Sequence, residues 1–265
     1  MYLLFIGAVI SIIRSYSLQV ENIELNFPHW PQELDGLKIA LLSDLHLPLN
    51  MLKIEQLLPK LSEQKPDLIM LVGDIVHKKM AADKTELADL LKQLRVLAPV
   101  YMVPGNHEQN NPHWEQQTKI YQEQQVPVLN NDLIRLQIKN SSLSIWGLNL
   151  SPNAPTPNLD TLFPDKEADL AQILLSHQPE RWPACCQTQS RLNPALTLSG
   201  HAHGGQFRLP KAIYAPQQGL FPQFTSGLYQ QKSGASLVVS RGLGYSSFPF
   251  RINNRIHLPI ITIHT

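Results

Sequence analysis

Three short apolar runs, separated by two stretches of helical periodicity, constrain the fold of this chain more than any other feature. The runs cover residues 37–42, 67–72 and 100–103. Between them, leucine and isoleucine recur at helical spacing over residues 52–61 and 87–94. This β-α-β-α-β order predicts a mostly parallel sheet with right-handed crossover connections.

The second half of the chain is richer in predicted strands. Residues 133–138 and 143–148 flank the turn Asn140-Ser141-Ser142, a pattern typical of a β-hairpin. Further apolar runs of strand length cover 170–175, 195–198, 237–239 and 260–263. The composition, 43% hydrophobic and 16% charged, is that of a globular protein. We therefore predict an α/β/β/α sandwich, in which two mixed β-sheets pack face to face and helices flank them.

The N-terminal segment is apolar. Met1 to Ile13 contains only Tyr2 and Ser11 as polar residues, and Arg14 follows. The run is shorter than the roughly 17–25 residues of a membrane span, and it lacks the preceding basic residue and the cleavage site of a signal peptide. A membrane anchor lying in the interface, the end of a longer span and an ordinary buried element all remain open. We divide the chain into this segment, residues 1–20, and a catalytic domain, residues 37–265.

Charge and cysteine content bear on partners and location. The formal net charge of +1 provides no global basic field, so a nucleic-acid partner is not expected. Cys185 and Cys186 are adjacent and are predicted to be reduced thiols, in line with a reducing compartment. If residues 1–13 anchor the chain, Arg14 places the domain in the cytoplasm at the inner face of the membrane.

Polar residues able to bind metal recur where the apolar runs end. Ligands of α/β sheets collect beyond the carboxyl ends of the strands, so these clusters should converge on one site. Each cluster alone is weak, because Gly-Asp is often a turn and a single histidine is seldom a ligand. The clusters are Ser43-Asp44-Leu45-His46, Gly73-Asp74, Gly105-Asn106-His107-Glu108, Ser176-His177 and Gly200-His201-Ala202-His203. Five histidines outside them receive no functional role: His29, His77, His113, His257 and His264.

In this order the clusters resemble the signature of the calcineurin-like metallophosphoesterases: D-x-H, G-D, G-N-H-[E/D], a single H, and G-H-x-H. The similarity runs from about Leu37 to the C-terminus. The Gly-His-x-His-Gly-Gly-Gln form, Arg241-Gly242-Leu243-Gly244 and the apolar N-terminus resemble the bacterial YkuE/YaeI branch. One departure is Ile256-His257-Leu258-Pro259, where relatives usually carry Pro-Glu before the last strand.

The resemblance implies a site for two divalent metal ions, namely manganese, iron, zinc or nickel. Such a pair would polarise the phosphoryl group and generate hydroxide from water at neutral pH. It further implies that His107 contacts the substrate, either donating a proton to the leaving oxygen or stabilising phosphoryl charge. The alternative is that His107 only orients Asp44, while Glu108 is structural. The implied ligands are Asp44, His46 and His203 for one ion, Asn106, His177 and His201 for the other, and Asp74 as the bridge.

The expected function is that of a hydrolase acting on ester bonds, a phosphodiesterase or phosphomonoesterase with a small phosphate ester as substrate. A second hypothesis is a lipid-linked substrate, as in a UDP-2,3-diacylglucosamine pyrophosphatase. A binding module that has lost catalysis is a third hypothesis, but no residue of the implied ligand set is missing. A nuclease is disfavoured by the near-neutral charge.

Overall fold

Two mixed β-sheets form the centre of the computed structural model. The model describes residues 14–48, 52–81, 83, 85–151, 153–156, 159–163, 171–186, 194–209, 211–245 and 251–265. The two sheets pack face to face, and helices cover their outer faces. The predicted α/β/β/α sandwich is confirmed.

The first sheet has five strands in the order β1-β13-β2-β3-β4. Strands β2, β3 and β4 are parallel, and they are the three apolar runs from which the parallel sheet was predicted. Strand β13 is antiparallel to β2 and parallel to β1. The bounds are Leu18–Asn26 (β1), Lys38–Leu42 (β2), Leu68–Val72 (β3), Val100–Val103 (β4) and Ile256–His264 (β13).

The second sheet has six strands in the order β11-β12-β8-β7-β6-β5. Strands β5 and β6 form the predicted hairpin, and β12, β8, β7 and β6 run parallel. A separate two-stranded ribbon joins β9 and β10. The bounds are Asp132–Ile138 (β5), Ser141–Leu148 (β6), Ala171–Ser176 (β7), Leu196–Ser199 (β8), Tyr214–Ala215 (β9), Gly219–Leu220 (β10), Gly227–Gln230 (β11) and Ser236–Val239 (β12).

Three longer helices and three of a single turn are described. The apolar faces of α1 and α2 pack on the first sheet through leucines at helical spacing, such as Leu57, Leu61, Leu90 and Leu94. The single turn α6 covers the second sheet with Trp182. The bounds are Ile54–Gln64 (α1), Leu87–Leu97 (α2), Asn106–Gln109 (α3), Trp114–Glu123 (α4), Leu159–Leu162 (α5) and Trp182–Cys185 (α6).

Strands β2, β3 and β4 are buried on both faces apart from the exposed Lys38 at the start of β2, which explains why they are apolar runs. In β2, Ile39 and Leu41 point into the core between the sheets, whereas Ala40 and Leu42 face the helices. The same alternation holds in β3, where Met70 lies between the sheets. The sandwich therefore buries both faces of these three strands, whereas the edge strand β1 keeps exposed residues.

Residues 18–36 lie before the predicted start of the domain at residue 37, yet they take part in the fold. Strand β1 pairs with β13 over nine residues, from Leu18 with Ile256 to Asn26 with His264. The division into residues 1–20 and 37–265 remains a prediction. Met1 to Ile13, the proposed anchor, lies outside the described residues. Among the residues that are described, no helix combines the length and apolarity needed to cross a membrane.

Candidate metal centre

The polar clusters predicted from the sequence gather at one edge of the sandwich. Asp44 and His46 follow β2, Asp74 follows β3, and Asn106 and His107 open α3 just after β4. From the second sheet, His177 follows β7, and His201 and His203 follow β8. The carboxyl ends of these five strands face each other across the sandwich, so the side chains meet.

Most of these residues have an unusual backbone. A positive φ is uncommon for a residue other than glycine, and such residues concentrate at functional sites. Five of the seven predicted metal ligands have a positive φ. They are Asp44 (52°), His46 (51°), Asp74 (54°), His201 (67°) and His203 (47°). The surrounding fold therefore maintains these loops in a costly conformation that aims the side chains inward.

One group of potential ligands consists of Asp44, His46 and His203. One ligand atom of each lies within 4.8 Å of the others. The Nε2 atoms of His46 and His203 are 3.2 Å apart, and Nε2 of His203 is 3.4 Å from Oδ1 of Asp44. All three residues are buried. This spacing suits a shared metal ion.

A second group consists of Asp74, His177 and His201, again within 4.8 Å. Nε2 of His177 is 3.3 Å from Oδ2 of Asp74. The same carboxylate oxygen is 4.0 Å from Nε2 of His46, which belongs to the first group. Asp74 thus lies between the two groups, where a bridging ligand would be required.

Oδ1 of Asn106 and Nε2 of His201 are among the buried polar atoms at the site that have no hydrogen-bond partner in the described residues. Burying a polar atom without a partner costs roughly 1–3 kcal/mol, so such atoms call for an explanation. Both belong to the ligand set implied for the second ion. Residues of this kind fit a metal ion, because coordination would satisfy both atoms.

Three histidines of the site, His46, His201 and His203, are in the neutral form that binds metal. Burial lowers the pKa of His46 and of His203 well below the ordinary range, and it lowers the pKa of His201 to about 3. These imidazoles are therefore neutral at pH 7 and keep a lone pair for coordination.

The carboxylates of the site require a positive charge beside them. Burial raises the pKa of Asp44 to about 6. Burial also opposes ionisation of Asp74, but the imidazole of His177 holds the pKa of this carboxyl well below its usual range. Conversely, burial disfavours a charged His177, yet Asp74 and Asp44 raise its pKa to about 10. A bound cation can supply the charge that a proton on His177 otherwise provides.

Glu108 links two of the site loops, in line with its predicted structural role. Its side chain is fully buried and accepts four backbone N–H groups. Oε2 accepts from Asp74 at 2.7 Å and Gly105 at 2.8 Å, and Oε1 accepts from Ile75 at 2.8 Å and Val76 at 3.0 Å. This one carboxylate therefore fixes the loop after β3 against the loop after β4.

His107 lies between the ligand groups and the adjoining cavity, which it lines. Its Nδ1 accepts the backbone N–H of Lys78 at 3.1 Å and is 3.2 Å from Nδ1 of His46. Its Nε2 is 3.8 Å from Oδ2 of Asp74. His77, which was given no role from the sequence, packs edge-on against His107 with ring centroids 5.0 Å apart.

Sequence reasoning did not identify Arg251 as part of the site. The guanidinium is fully buried, and its Nη2 lies 3.4 Å from Nδ1 of His203. Nη1 donates to the carbonyl of Arg241 at 2.6 Å, and Nη2 also donates to the carbonyl of Gly244. The sequence around residue 251 contains no motif that predicts this role. The contact with His203 joins positions 48 residues apart.

A cavity of about 600 Å³ opens above the two groups. Its walls combine proposed ligands with a cationic side chain and an apolar rim. The polar side of the cavity includes Asp74, Lys78, Asn106, His107, His201 and His203. The rim includes Phe207, Tyr214 and Pro216. A phosphate ester placed here would meet His107, Lys78 and both ligand groups.

Comparison with known families agrees with this geometry. A sequence model described as calcineurin-like phosphoesterase matches residues 37–205, well over half of the chain. The chain belongs to the calcineurin-like phosphoesterase family. The match ends just after the last potential ligand, His203. It therefore covers all five polar clusters that were predicted to form the site.

Several known proteins are similar in sequence to this calcineurin-like phosphoesterase over most of its length. The phosphodiesterase YaeI of Escherichia coli (strain K12) is 29% identical, with 85% of this chain and 82% of that protein covered. The metallophosphoesterase YkuE of Bacillus subtilis (strain 168) is also 29% identical, with 88% and 81% covered. A transmembrane protein with metallophosphoesterase domain from Bos taurus is 28% identical over 90% of this chain. The chain spans only 55% of the length of that bovine relative.

Proposed function

We propose that this chain is a metal-dependent phosphoesterase that acts on phosphodiesters. The observation that carries the proposal is the convergence of two three-residue ligand groups on one cavity, with Asp74 between them. Membership of the calcineurin-like phosphoesterase family supports the reaction class. The name of the relative YaeI, a phosphodiesterase, supports the diester preference.

In this proposal Asp44, His46 and His203 hold one divalent ion, Asn106, His177 and His201 hold the other, and Asp74 contacts both. Bound ions would polarise the phosphoryl group and lower the pKa of water. The mixed imidazole, carboxylate and amide donors suit manganese, iron, zinc or nickel. The protein contributes rigid loops, a buried position and neutral imidazoles, all of which favour binding of the ions.

His107 is proposed to act as a neutral hydrogen-bond donor to the substrate. Burial lowers the pKa of His107, and although Asp74 opposes this shift, the neighbouring His77 and Lys78 act in the same direction as burial. Because the Lys78 backbone N–H donates to Nδ1, the proton of the neutral ring resides on Nε2. A neutral Nε2–H would stabilise negative charge on a phosphoryl oxygen, whereas an imidazolium that could protonate the leaving group is disfavoured at pH 7.

Lys78 supplies positive charge at the mouth of the cavity. Its backbone is fixed by the hydrogen bond to His107, and its exposed side chain lines the cavity. An ammonium group there would attract an anionic phosphate ester without occupying a ligand position. We therefore propose that Lys78 contributes to substrate binding rather than to the chemical step.

The test is an activity screen of the purified full chain after removal of metal and reconstitution with manganese, iron, zinc or nickel. Substrates are bis-p-nitrophenyl phosphate, p-nitrophenyl phosphate and UDP-linked lipids. We expect hydrolysis of the diester that depends on added metal. Faster hydrolysis of the monoester would refute the diester preference, and no hydrolysis with any ion would refute the proposal.

A second candidate is a lipid-linked phosphate ester such as UDP-2,3-diacylglucosamine. It is favoured by the apolar rim of the cavity, formed by Phe207, Tyr214 and Pro216. The apolar Met1 to Ile13 segment and the transmembrane relative point the same way. With such a substrate, the domain would lie in the cytoplasm against the inner face of the membrane. Hydrolysis of the UDP-linked lipid alone in the screen would establish the lipid as the substrate.

A further inference from the structure

Exposed hydrophobic side chains are concentrated in one region of the described structure. Of the seven large ones, only Tyr16 and Val96 lie elsewhere. The remaining five lie between residues 209 and 228: Leu209, Tyr214, Leu220, Phe221 and Leu228. Leu209 is 69% exposed, Leu220 68% and Phe221 82%. Scattered exposed hydrophobics need no explanation, but a cluster of this kind marks an interaction surface.

Four of these side chains belong to one small unit, residues 207–209 and 211–224, which we call the apolar lobe. Its ribbon pairs Tyr214 directly with Leu220, so both point to the same face. The backbone N–H of Phe221 donates to the carbonyl of Ile213 at 2.9 Å. The apolar lobe therefore presents its hydrophobic side chains from a fixed scaffold.

The apolar N-terminal segment joins the fold beside the base of this lobe. Oγ of Ser15 accepts the backbone N–H of Asn254 at 3.3 Å. The side-chain amide of Asn254 donates to the carbonyls of His203 at 2.7 Å and Gln206 at 3.3 Å. Ser15 is thus linked through Asn254 to Gln206, next to the start of the apolar lobe.

The charge of the surrounding sequence matches an anionic surface. No Asp or Glu follows Glu180, whereas residues 181–265 contain eight Lys and Arg, of which Arg181 and Arg251 are buried. Within the apolar lobe, Lys211 is exposed two residues from Leu209, and Arg14 is exposed where the N-terminal segment joins. Hydrophobic side chains flanked by basic ones favour the surface of a bilayer with anionic lipids.

We propose that the apolar lobe docks onto a bilayer containing anionic lipids, with Leu209, Leu220 and Phe221 inserted at the interface. Phe207, Tyr214 and Pro216 line the catalytic cavity as well as belonging to the lobe. Docking therefore places the cavity mouth at the membrane surface. This inference concerns where the protein binds and does not depend on the proposed hydrolysis.

The experiment is vesicle co-sedimentation of the full chain, with phosphatidylcholine alone and with phosphatidylcholine mixed with phosphatidylglycerol. We expect tighter binding to the mixed vesicles and weakening of that preference by added salt. The double variant Leu220→Ser/Phe221→Ser should lower the partition constant by about tenfold, since two inserted side chains are lost. Val96→Ser is the matched control, because Val96 is also 82% exposed but lies on α2.

Lys211→Glu should reduce binding only to the mixed vesicles, whereas Lys92→Glu on α2 should have little effect. Circular dichroism would show whether each variant is folded, and Leu209→Ser replaces the double variant if that one is not. Unchanged binding of a folded lobe variant, or equal loss in Val96→Ser, would overturn the proposal. Loss of a dimer in sedimentation, with vesicle binding unaffected, would also overturn it and assign the lobe to self-association.

Discussion

The carboxylate of Glu108 accepts the backbone N–H of Asp74 at 2.7 Å, while the Asp74 carboxylate faces the ligand groups and accepts the backbone N–H of His107 at 2.8 Å. In total, four backbone donors converge on the buried side chain of Glu108. The Asp74 loop, with its positive φ, is therefore stabilised from behind by a residue that does not face the cavity. The proposed bridging position depends on a hydrogen-bond network formed between two strand ends.

Replacing Glu108 with glutamine tests this support. The amide nitrogen of glutamine would face backbone N–H donors, so at least one donor loses its partner. We expect Glu108→Gln to lower the free energy of unfolding by about 2–3 kcal/mol, measured by urea denaturation. The control is Glu115→Gln on α4, where the glutamate is 85% exposed. Equal effects of the two changes would contradict the supporting role.

The Asp74→Asn variant tests the proposed bridge. An amide cannot neutralise two cations as a carboxylate does, so we expect loss of at least one ion and a fall in turnover of more than about a hundredfold. Metal analysis of the wild-type chain should approach about two ions per chain. Asp89→Asn, at an exposed position of α2, should retain metal and activity. A fully active Asp74→Asn variant would rule out the bridge.

The His107→Gln variant distinguishes hydrogen-bond donation from proton transfer. We expect turnover to fall by about 10²–10³-fold while the metal content is unchanged. If His107 stabilises phosphoryl charge, the loss should be the same for a p-nitrophenyl ester and an alkyl ester of one phosphate. A larger loss on the alkyl ester would instead indicate proton donation to the leaving group. His113→Gln, outside the site, is the control for both esters.

Stability should fall at acidic pH because of His257. Burial lowers the pKa of its imidazole to about 4, although Nε2 lies 2.6 Å from Glu21. Below about pH 6.5 the imidazole of His257 is protonated in the unfolded chain but not in the folded chain. The free energy of unfolding therefore falls by up to about 3 kcal/mol between pH 6.5 and 4. Urea titrations should show a shallower pH dependence in His257→Gln. The exposed change His29→Gln should keep the wild-type slope, and equal slopes in all three proteins would contradict the assignment.

Deletion of Met1 to Ile13 tests the proposed membrane contact of the N-terminus. Apolar burial at an interface is favourable by about 0.8 kcal/mol per CH₂ group, so the shortened chain should bind vesicles less tightly. Ser15 is retained and keeps its contact with Asn254, so hydrolysis of bis-p-nitrophenyl phosphate should be unchanged. A deletion that unfolds the chain, seen by circular dichroism, would instead indicate that residues 1–13 are an element of the core.

The sequence predicted the sandwich and the order of its elements because apolar periodicity is a local property. Strands β2, β3 and β4 are uniformly apolar since both faces are buried, and the hairpin of β5 and β6 is marked by its own turn. The convergence of the polar clusters followed from the same reasoning, since parallel strands end at one edge. The family resemblance then implied a role for each residue of the polar clusters. The Asp74, His107 and Glu108 variants test three of these roles.

Only the tertiary structure decided which distant segments meet. Strand β1 pairs with β13, and Glu21 meets His257 across 236 positions, so His257 could not be distinguished by its neighbours in the sequence from a surface histidine. Arg251 contacts His203 in the same way, across 48 positions. Such contacts depend on the register of strands from opposite ends of the chain. Local spacing specifies each strand and its polar end, but the pairing that brings them together is set by the packing of the whole sandwich.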